Sequence, residues 1–139
     1  MKKEAALLMA AMAIVGCSAN SAQNNDEAAK LADHYFVLTS VDGKAIGLPE
    51  GVKPGIRFGE NMHVSGVMCN RFFGQGKLEQ GVLSLPQMAS TRMLCSDPRL
   101  NEWENMLGKA LTQGAKLTLD QQTLTLTGAG HKLVYRAEQ

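Results

Sequence analysis

The sequence predicts a mainly β fold: a curved antiparallel sheet, or half-open barrel, that carries one amphipathic α-helix. Two patterns indicate it. From residue 34 onward, short stretches rich in β-branched and aromatic residues alternate between apolar and polar positions, and turns containing glycine separate them. One stretch, residues 97–114, follows a helical period instead. Because a single helix covers only part of one face of a sheet, the rest of the sheet must curl on itself to bury its apolar side.

About eight strands are expected between residues 34 and 139. The first is HYFVLTSV, and Asp42-Gly43 after it offers a tight hairpin turn into KAI. The strands of the middle part are separated by glycine-containing turns and read GIRFG, MHVSGVM, GKLEQGVLSL (with its own turn at QG) and QMASTRML. The last three, AKLTL, QTLTLT and HKLVYR, are predicted to form a meander, in which Leu124 and Leu126 face the core and the threonines face outward.

The helix has a start signal and a stop signal. Asp97 is a good N-cap, and Pro98 suits the first helical turn because that position needs no amide donor. Gly114 is placed to end the helix. The apolar residues between them recur at helical spacing, namely Leu100, Trp103, Leu107, Ala110 and Leu111. The charged residues assigned to the opposite face are Glu102, Glu104 and Lys109.

The N-terminus, MKKEAALLMAAMAIVGC, is typical of a secretory signal peptide. Its apolar run is too short to cross a bilayer as a helix. The ending, Ile14-Val15-Gly16-Cys17, resembles a bacterial lipobox, in which the peptide is cleaved before the cysteine and the cysteine is lipidated. Residues 1–16 are therefore predicted to be a lipoprotein signal peptide, and Cys17 to be the membrane anchor. A serine after the cysteine favours the outer membrane, with the protein facing the periplasm.

Residues 17–33 are predicted to be the lipidated cysteine and a flexible tether, because their small polar side chains cannot bury enough surface to offset chain entropy. As coil, the tether reaches roughly 20–25 Å. Residues 34–139 then form one domain. Cleavage removes two of the 14 basic and one of the 13 acidic residues, which leaves the mature chain without net charge. With no basic surplus to neutralise phosphates, we expect no nucleic-acid partner.

Apart from Cys17, the chain has two cysteines, Cys69 and Cys95. In an oxidising envelope paired cysteines normally cross-link, so the composition favours a disulfide between them. Closing a loop of about 26 residues would contribute about 3–4 kcal/mol to stability. The alternatives are two buried thiols, a metal site or a catalytic cysteine. Both of the last two are disfavoured, because the histidines lack metal-ligand spacing and His63 is far from Cys69 along its strand.

No motif in the chain indicates an enzyme. The stretch GQGK lacks the first glycine and the Ser or Thr of a phosphate-binding loop, and neither G-x-S-x-G nor H-E-x-x-H occurs. We therefore predict no catalytic residue, no metal site and no cofactor. Arg71 and Arg92 flank the two cysteines, and they either converge into a basic spot or are simply solvated. Phe72 and Phe73 are adjacent, so in a strand one of them must face outward and could mark a contact patch.

Two elements, MCNRFFGQGKL and MASTRMLCSDP, together with NEWENMLGKAL, resemble the META domain family over nearly all of the predicted domain. The positions that match the family motifs are Cys69, Asn70, Arg71 and Phe72, then Thr91, Arg92, Met93 and Cys95. The resemblance implies a small lipocalin-like half barrel with one helix. It also implies induction by heat shock, a link to novobiocin tolerance and no known enzymatic reaction, and it assigns no role to the individual motif positions.

These observations together predict a non-enzymatic envelope-stress lipoprotein. It would be held to the membrane by its lipid anchor, and it would protect or bind envelope components such as unfolded or outer-membrane proteins. Two alternatives stay open at this point. A bent sheet can enclose a pocket, so the protein could carry a small apolar ligand. It could also modulate or inhibit an envelope enzyme by presenting the Arg71–Phe73 stretch, expected to be a turn, to that enzyme.

Overall fold

The computed structural model describes residues 29–138 of the chain. Its long helix, α1, is Pro98–Gln113, and a short 3-10 turn covers Glu60–Met62. The strands β1 to β11 are, in chain order, Tyr35–Val41, Lys44–Ala45, Gly55–Phe58, His63–Val67, Arg71–Gln75, Lys77–Glu79, Val82–Ser84, Ala89–Ser90, Ala115–Asp120, Thr123–Gly128 and His131–Ala137. The predicted mainly β fold with one long helix is confirmed in this structure.

All pairs of strands are antiparallel, and they form one sheet in the order β6-β7-β9-β10-β11-β1-β3-β4-β5-β8, with β2 paired to β1. Strands β5 and β6 lie near opposite ends of this order, yet only Gly76 separates them in the chain. Gly76 donates its N–H to the carbonyl of Met62 at 2.9 Å. One bent segment thus connects the two ends of the sheet, which is the curled half barrel that the sequence predicts.

Large apolar side chains fill the inside of the curled sheet. In the C-terminal meander, Leu124 and Leu126 are fully buried, and the threonines between them are partly or wholly exposed. This confirms the predicted orientation of that strand. Phe36 and Phe58 meet edge to face, with ring centroids 5.9 Å apart. Other buried side chains contributed by the strands include Leu38, Ile56, Val64, Phe72, Leu83, Leu117, Leu133 and Tyr135.

Helix α1 begins and ends where its signals predict. The Asp97 side chain accepts a hydrogen bond from the backbone N–H of Arg99 at 2.9 Å, and Gly114 ends the helix at φ 110°. The face turned to the sheet contacts β7, β10 and β11. Its buried residues are Leu100, Leu107, Ala110 and Leu111.

Three details of the prediction were wrong. The sheet has 11 strands, more than the expected eight or so, and one strand that was not expected is β5, RFFGQ, whose residues 71–73 had been read as a turn. Gly76, which follows this strand, is required by close packing, because a Cβ there would lie 2.8 Å from the Met62 carbonyl oxygen. Of the expected strand QMASTRML, only Ala89–Ser90 pairs with a neighbour.

The third correction concerns the end of the predicted tether. Leu31 is fully buried, Ala32 forms a parallel bridge with Phe58, and Asp33 donates its N–H to the Phe58 carbonyl at 2.7 Å. The folded part therefore begins before residue 34, because one large apolar side chain in a polar stretch suffices to attach it.

The signal peptide, Cys17 and the first part of the tether lie outside the described residues. Between residues 29 and 138, no helix is both long and apolar enough to cross a membrane.

Candidate functional site

The two motif stretches of the sequence meet at one end of the sheet. A disulfide joins Cys69 to Cys95, whose Cα atoms are 5.8 Å apart. Beside it, Thr91 donates its N–H to the Arg71 carbonyl at 3.0 Å, and the Thr91 hydroxyl accepts from the Arg71 N–H at 3.2 Å. The segment after β8 is thus held against the start of β5 at both of its ends. We refer to residues 91–94 as the 91–94 loop.

Asn70 is at the centre of this region, and only 4% of it is exposed. Its side-chain amide donates to the Met93 carbonyl at 3.1 Å and to Glu104 Oε2 at 2.8 Å. Its side-chain carbonyl accepts from the Met93 N–H at 2.7 Å and from the Thr91 hydroxyl at 3.0 Å. The side-chain amide of Asn70 therefore makes the two hydrogen bonds with the Met93 backbone that a neighbouring strand would otherwise make. For this reason the strand expected at QMASTRML does not continue to Met93.

Glu104 connects helix α1 to the same region. Its Oε1 accepts the backbone N–H of Asn70 at 2.6 Å and that of Cys69 at 3.2 Å. A carboxylate that accepts two backbone N–H groups makes charge-assisted bonds, which are stronger than neutral ones. Both of its oxygens are engaged, since Oε2 accepts from Asn70.

The sequence interpretation missed Glu104 by assigning it to the polar face of the helix. Glu104 follows Leu100 by four residues and precedes Leu107 by three, so it lies on the apolar stripe and is half-buried. An acidic residue at such a position is the signal that could have identified it, because a half-buried carboxylate requires polar partners.

The outward face of the 91–94 loop is apolar at its tip. Leu94 is 94% exposed and Met93 is 65% exposed. Phe72 is buried in the core, whereas Phe73 faces outward and is 53% exposed. The predicted Arg71–Phe73 turn is thus a strand, with Arg71 and Phe73 on its outer face.

Arg71 and Arg92 are both exposed, and within residues 29–138 neither guanidinium group has an ion pair or a hydrogen bond. They remain at the surface beside the same loop, since Arg71 pairs with Thr91, the residue before Arg92. These arginines place positive charge beside the 91–94 loop, and within residues 29–138 neither forms an ion pair with an acidic side chain.

A surface cleft of about 380 Å³ separates the 91–94 loop from helix α1, and we call it the loop–helix groove. It is lined by Asn70, Ser90, Thr91, Arg92, Met93, Leu94, Asn101, Glu104 and Asn105. Its volume is within the range of ordinary ligand sites.

In the described part of the chain, no group of three or more His, Cys, Asp or Glu residues is arranged to hold a metal ion. His131 instead contacts Asp42, with Nδ1 2.8 Å from Oδ2, and the other oxygen of Asp42 accepts the Lys132 N–H at 2.8 Å. These two hydrogen bonds, the one from the Lys132 backbone first, lower the pKa of Asp42 below its usual value. The pair connects the β1–β2 turn to the hairpin between β10 and β11.

Comparison with known proteins gives a consistent result. The META domain family model matches residues 29–139. Heat shock protein HslJ of Escherichia coli (strain K12) is 41% identical over 98% of this chain and 96% of its own. A protein structure solved by NMR is 44% identical, with a TM-score of 0.73 over 78% of this chain and 92% of that one.

A second NMR structure, of a protein from Burkholderia xenovorans, has a TM-score of 0.63 over 97% of this chain and 99% of its own. At 24% identity it supports the fold alone. The family model covers most of the chain, and HslJ is 41% identical over nearly all of it. The chain belongs to the META domain family.

Proposed function

We propose that this protein is a non-enzymatic lipoprotein of the bacterial envelope that is made under heat stress and acts by binding other envelope proteins. The association with heat stress rests on its similarity to HslJ, which is named a heat shock protein. The envelope location, at the periplasmic face of the outer membrane, rests on the signal sequence and Cys17. Tolerance of novobiocin is part of the same proposal.

The observation that supports the binding role is the exposure of Met93 and Leu94 at the tip of a loop whose backbone is anchored by Asn70 and by the disulfide. General acid–base or nucleophilic catalysis needs an acid, base or nucleophile that is free to reach a substrate. Here both oxygens of Glu104 and the whole amide of Asn70 are occupied by internal hydrogen bonds. We therefore assign to Asn70 and Glu104 the role of fixing the conformation of the 91–94 loop. In that conformation the loop presents the apolar and basic side chains of residues 92–94 to a partner.

The packed interior favours a surface role over the carriage of a ligand. Large side chains that are fully buried occupy the space inside the curled sheet, where a lipocalin-like carrier would need room for its ligand. The binding that we propose is accordingly placed on the outside of the barrel.

A deletion strain tests this proposal. It would be complemented with the wild-type gene, Cys17→Ala or Cys69→Ala, then scored for survival of heat and of novobiocin, with the mass of each mature protein determined in parallel. We expect deletion to lower survival, the wild type to restore it and to carry acyl mass, and Cys17→Ala to restore little because it is not anchored. Unchanged survival after deletion, or an unmodified Cys17 in the wild type, would overturn the proposal.

A further inference from the structure

The 91–94 loop is exposed and apolar at its tip, yet its backbone is anchored at three points. Its backbone is fixed at Thr91 by Arg71, at Met93 by Asn70, and immediately after Leu94 by the disulfide of Cys95. A segment that is already ordered loses little conformational entropy when a partner binds it. An isolated exposed leucine needs no explanation, but adjacent Met93 and Leu94 on a fixed backbone form a preorganised apolar contact.

The charge around this contact is positive. Arg92 follows Thr91 in the loop, Arg71 pairs with Thr91 across the sheet end, and neither guanidinium has a partner within the described residues. The carboxylate of Glu104 in the groove is directed inward to the backbone of Cys69 and Asn70. A partner with carboxylates beside its apolar side chains would complement this surface, whereas a basic partner would be repelled.

On its helix side, the loop–helix groove presents two side-chain amides beside the inward-directed Glu104. Asn101 and Asn105 are one turn apart on α1, so they lie on the same face, and neither side chain has a hydrogen bond within residues 29–138. A side-chain amide offers two donors and an acceptor, which match the alternating N–H and C=O groups of an extended peptide. A lipid surface would make no use of such a groove.

The loop also lies away from the point where the N-terminal chain enters the domain. The N-terminal chain enters the domain at Phe58, which pairs with Val64 near the start of β4. The 91–94 loop lies beside Arg71, which pairs with Val67 at the other end of β4. The loop and the bridge between Ala32 and Phe58 are therefore near opposite ends of β4.

We infer that the loop–helix groove binds an extended segment of another protein, one in which acidic residues adjoin apolar ones. Its apolar side chains contact Met93 and Leu94, a carboxylate pairs with Arg92, and its backbone bonds Asn101 and Asn105. This inference names the surface and the partner class of the protein-binding function proposed above, and it rests on that function.

The test is a selection of random peptides displayed on phage against the full-length mature protein. Enriched peptides would be titrated by NMR into wild type, Leu94→Ser, Arg92→Glu and the control variants Val82→Ser and Lys77→Glu, which alter exposed residues elsewhere on the sheet. We expect Asp or Glu beside Leu, Ile, Phe or Met in the enriched sequences, and signal changes at residues 90–94, 101 and 105. Leu94→Ser and Arg92→Glu should each weaken binding about tenfold or more, and the controls should bind like wild type.

Several results would overturn the inference: no enrichment, enrichment of basic peptides, equal binding to all five proteins, or signal changes confined to other surfaces. Binding to vesicles of phosphatidylglycerol that is lost in Leu94→Ser, without peptide binding, would identify a lipid surface instead. The deletion strain distinguishes failure of this inference from failure of the proposed function. If deletion lowers survival but Leu94→Ser and Arg92→Glu restore it fully, the stress role stands and this surface is wrong.

Discussion

The C-terminal meander and the 91–94 loop are stabilised in opposite ways. In the meander, β10 pairs in unbroken register with β11 from Thr123 to Gly128 and with β9 from Thr123 to Thr127, and this ladder places Leu124 and Leu126 in the core. There the backbone positions the side chains. In the loop region, the side chains of Asn70 and Glu104 and one disulfide position a backbone that has few ladder bonds of its own. The meander provides stability, and the loop provides a defined surface.

The largest effect that separates the two regions is expected from Leu126→Ala. Leu126 is fully buried, so its loss should lower the free energy of unfolding by an amount in the upper part of the range of about 2–5 kcal/mol. Urea unfolding measures it. The native signals of the 91–94 loop should stay at their wild-type positions while the variant is folded. If the loop signals moved as much as those of the meander, the two regions would not be separable.

A smaller, local effect is expected from Asn70→Ala. This change leaves the N–H of Met93 and Oε2 of Glu104 without their partners, at a cost of about 2–3 kcal/mol. Amide hydrogen exchange should speed up first at Met93 and its neighbours. Asn105→Ala on the exposed helix surface is the control, and its stability should stay within about 0.5 kcal/mol of wild type. Equal stability of the two variants would show that Asn70 does not hold the loop.

Glu104→Gln tests the loop region at one atom, the Oε2 that accepts from the side-chain amide of Asn70. The glutamine oxygen can still accept from the N–H groups of Cys69 and Asn70, but its NH₂ group then faces the amide donor of Asn70. We expect a loss of about 1–2 kcal/mol by urea unfolding. The matched control is Glu102→Gln, two residues away on the exposed face, with an effect near zero. If both variants lost the same amount, helix charge and not this contact would be responsible.

The smallest effect is a pH dependence in the meander region. Hydrogen bonds from the Lys132 N–H and from His131 lower the pKa of Asp42 from its ordinary value of 3.8. The folded state thus favours the ionised carboxyl, so its contribution is present above pH 3.8 and is lost as the pH falls through the lower folded value. Thermal unfolding of wild type and Asp42→Asn should differ at neutral pH and converge at the acidic end. A difference that grew towards low pH would contradict this assignment.

The same contrast explains what could be predicted from the sequence. Alternation of leucine and threonine in β10 is a local pattern, as are the Asp97 and Gly114 signals of α1, and all of them predicted the structure correctly. The role of Asn70 depends on partners 23 and 34 residues away, which leave no periodic trace. The partners of Glu104 are equally distant in the chain, although its spacing from Leu100 and Leu107 does place it on the apolar stripe of α1. The glycines of RFFGQG were read as a turn because their close packing against other strands appears only in three dimensions.

The most direct test of the central claim, that the motif residues hold the 91–94 loop so that its tip can bind, is one variant in the deletion strain. Leu94→Ser removes the large apolar side chain that is most exposed among residues 29–138, and it touches none of the hydrogen bonds around Asn70. Survival of heat and novobiocin would be measured alongside the melting temperature. The account predicts a wild-type melting temperature with survival close to that of the deletion strain. Full survival with a normally folded Leu94→Ser protein would contradict it.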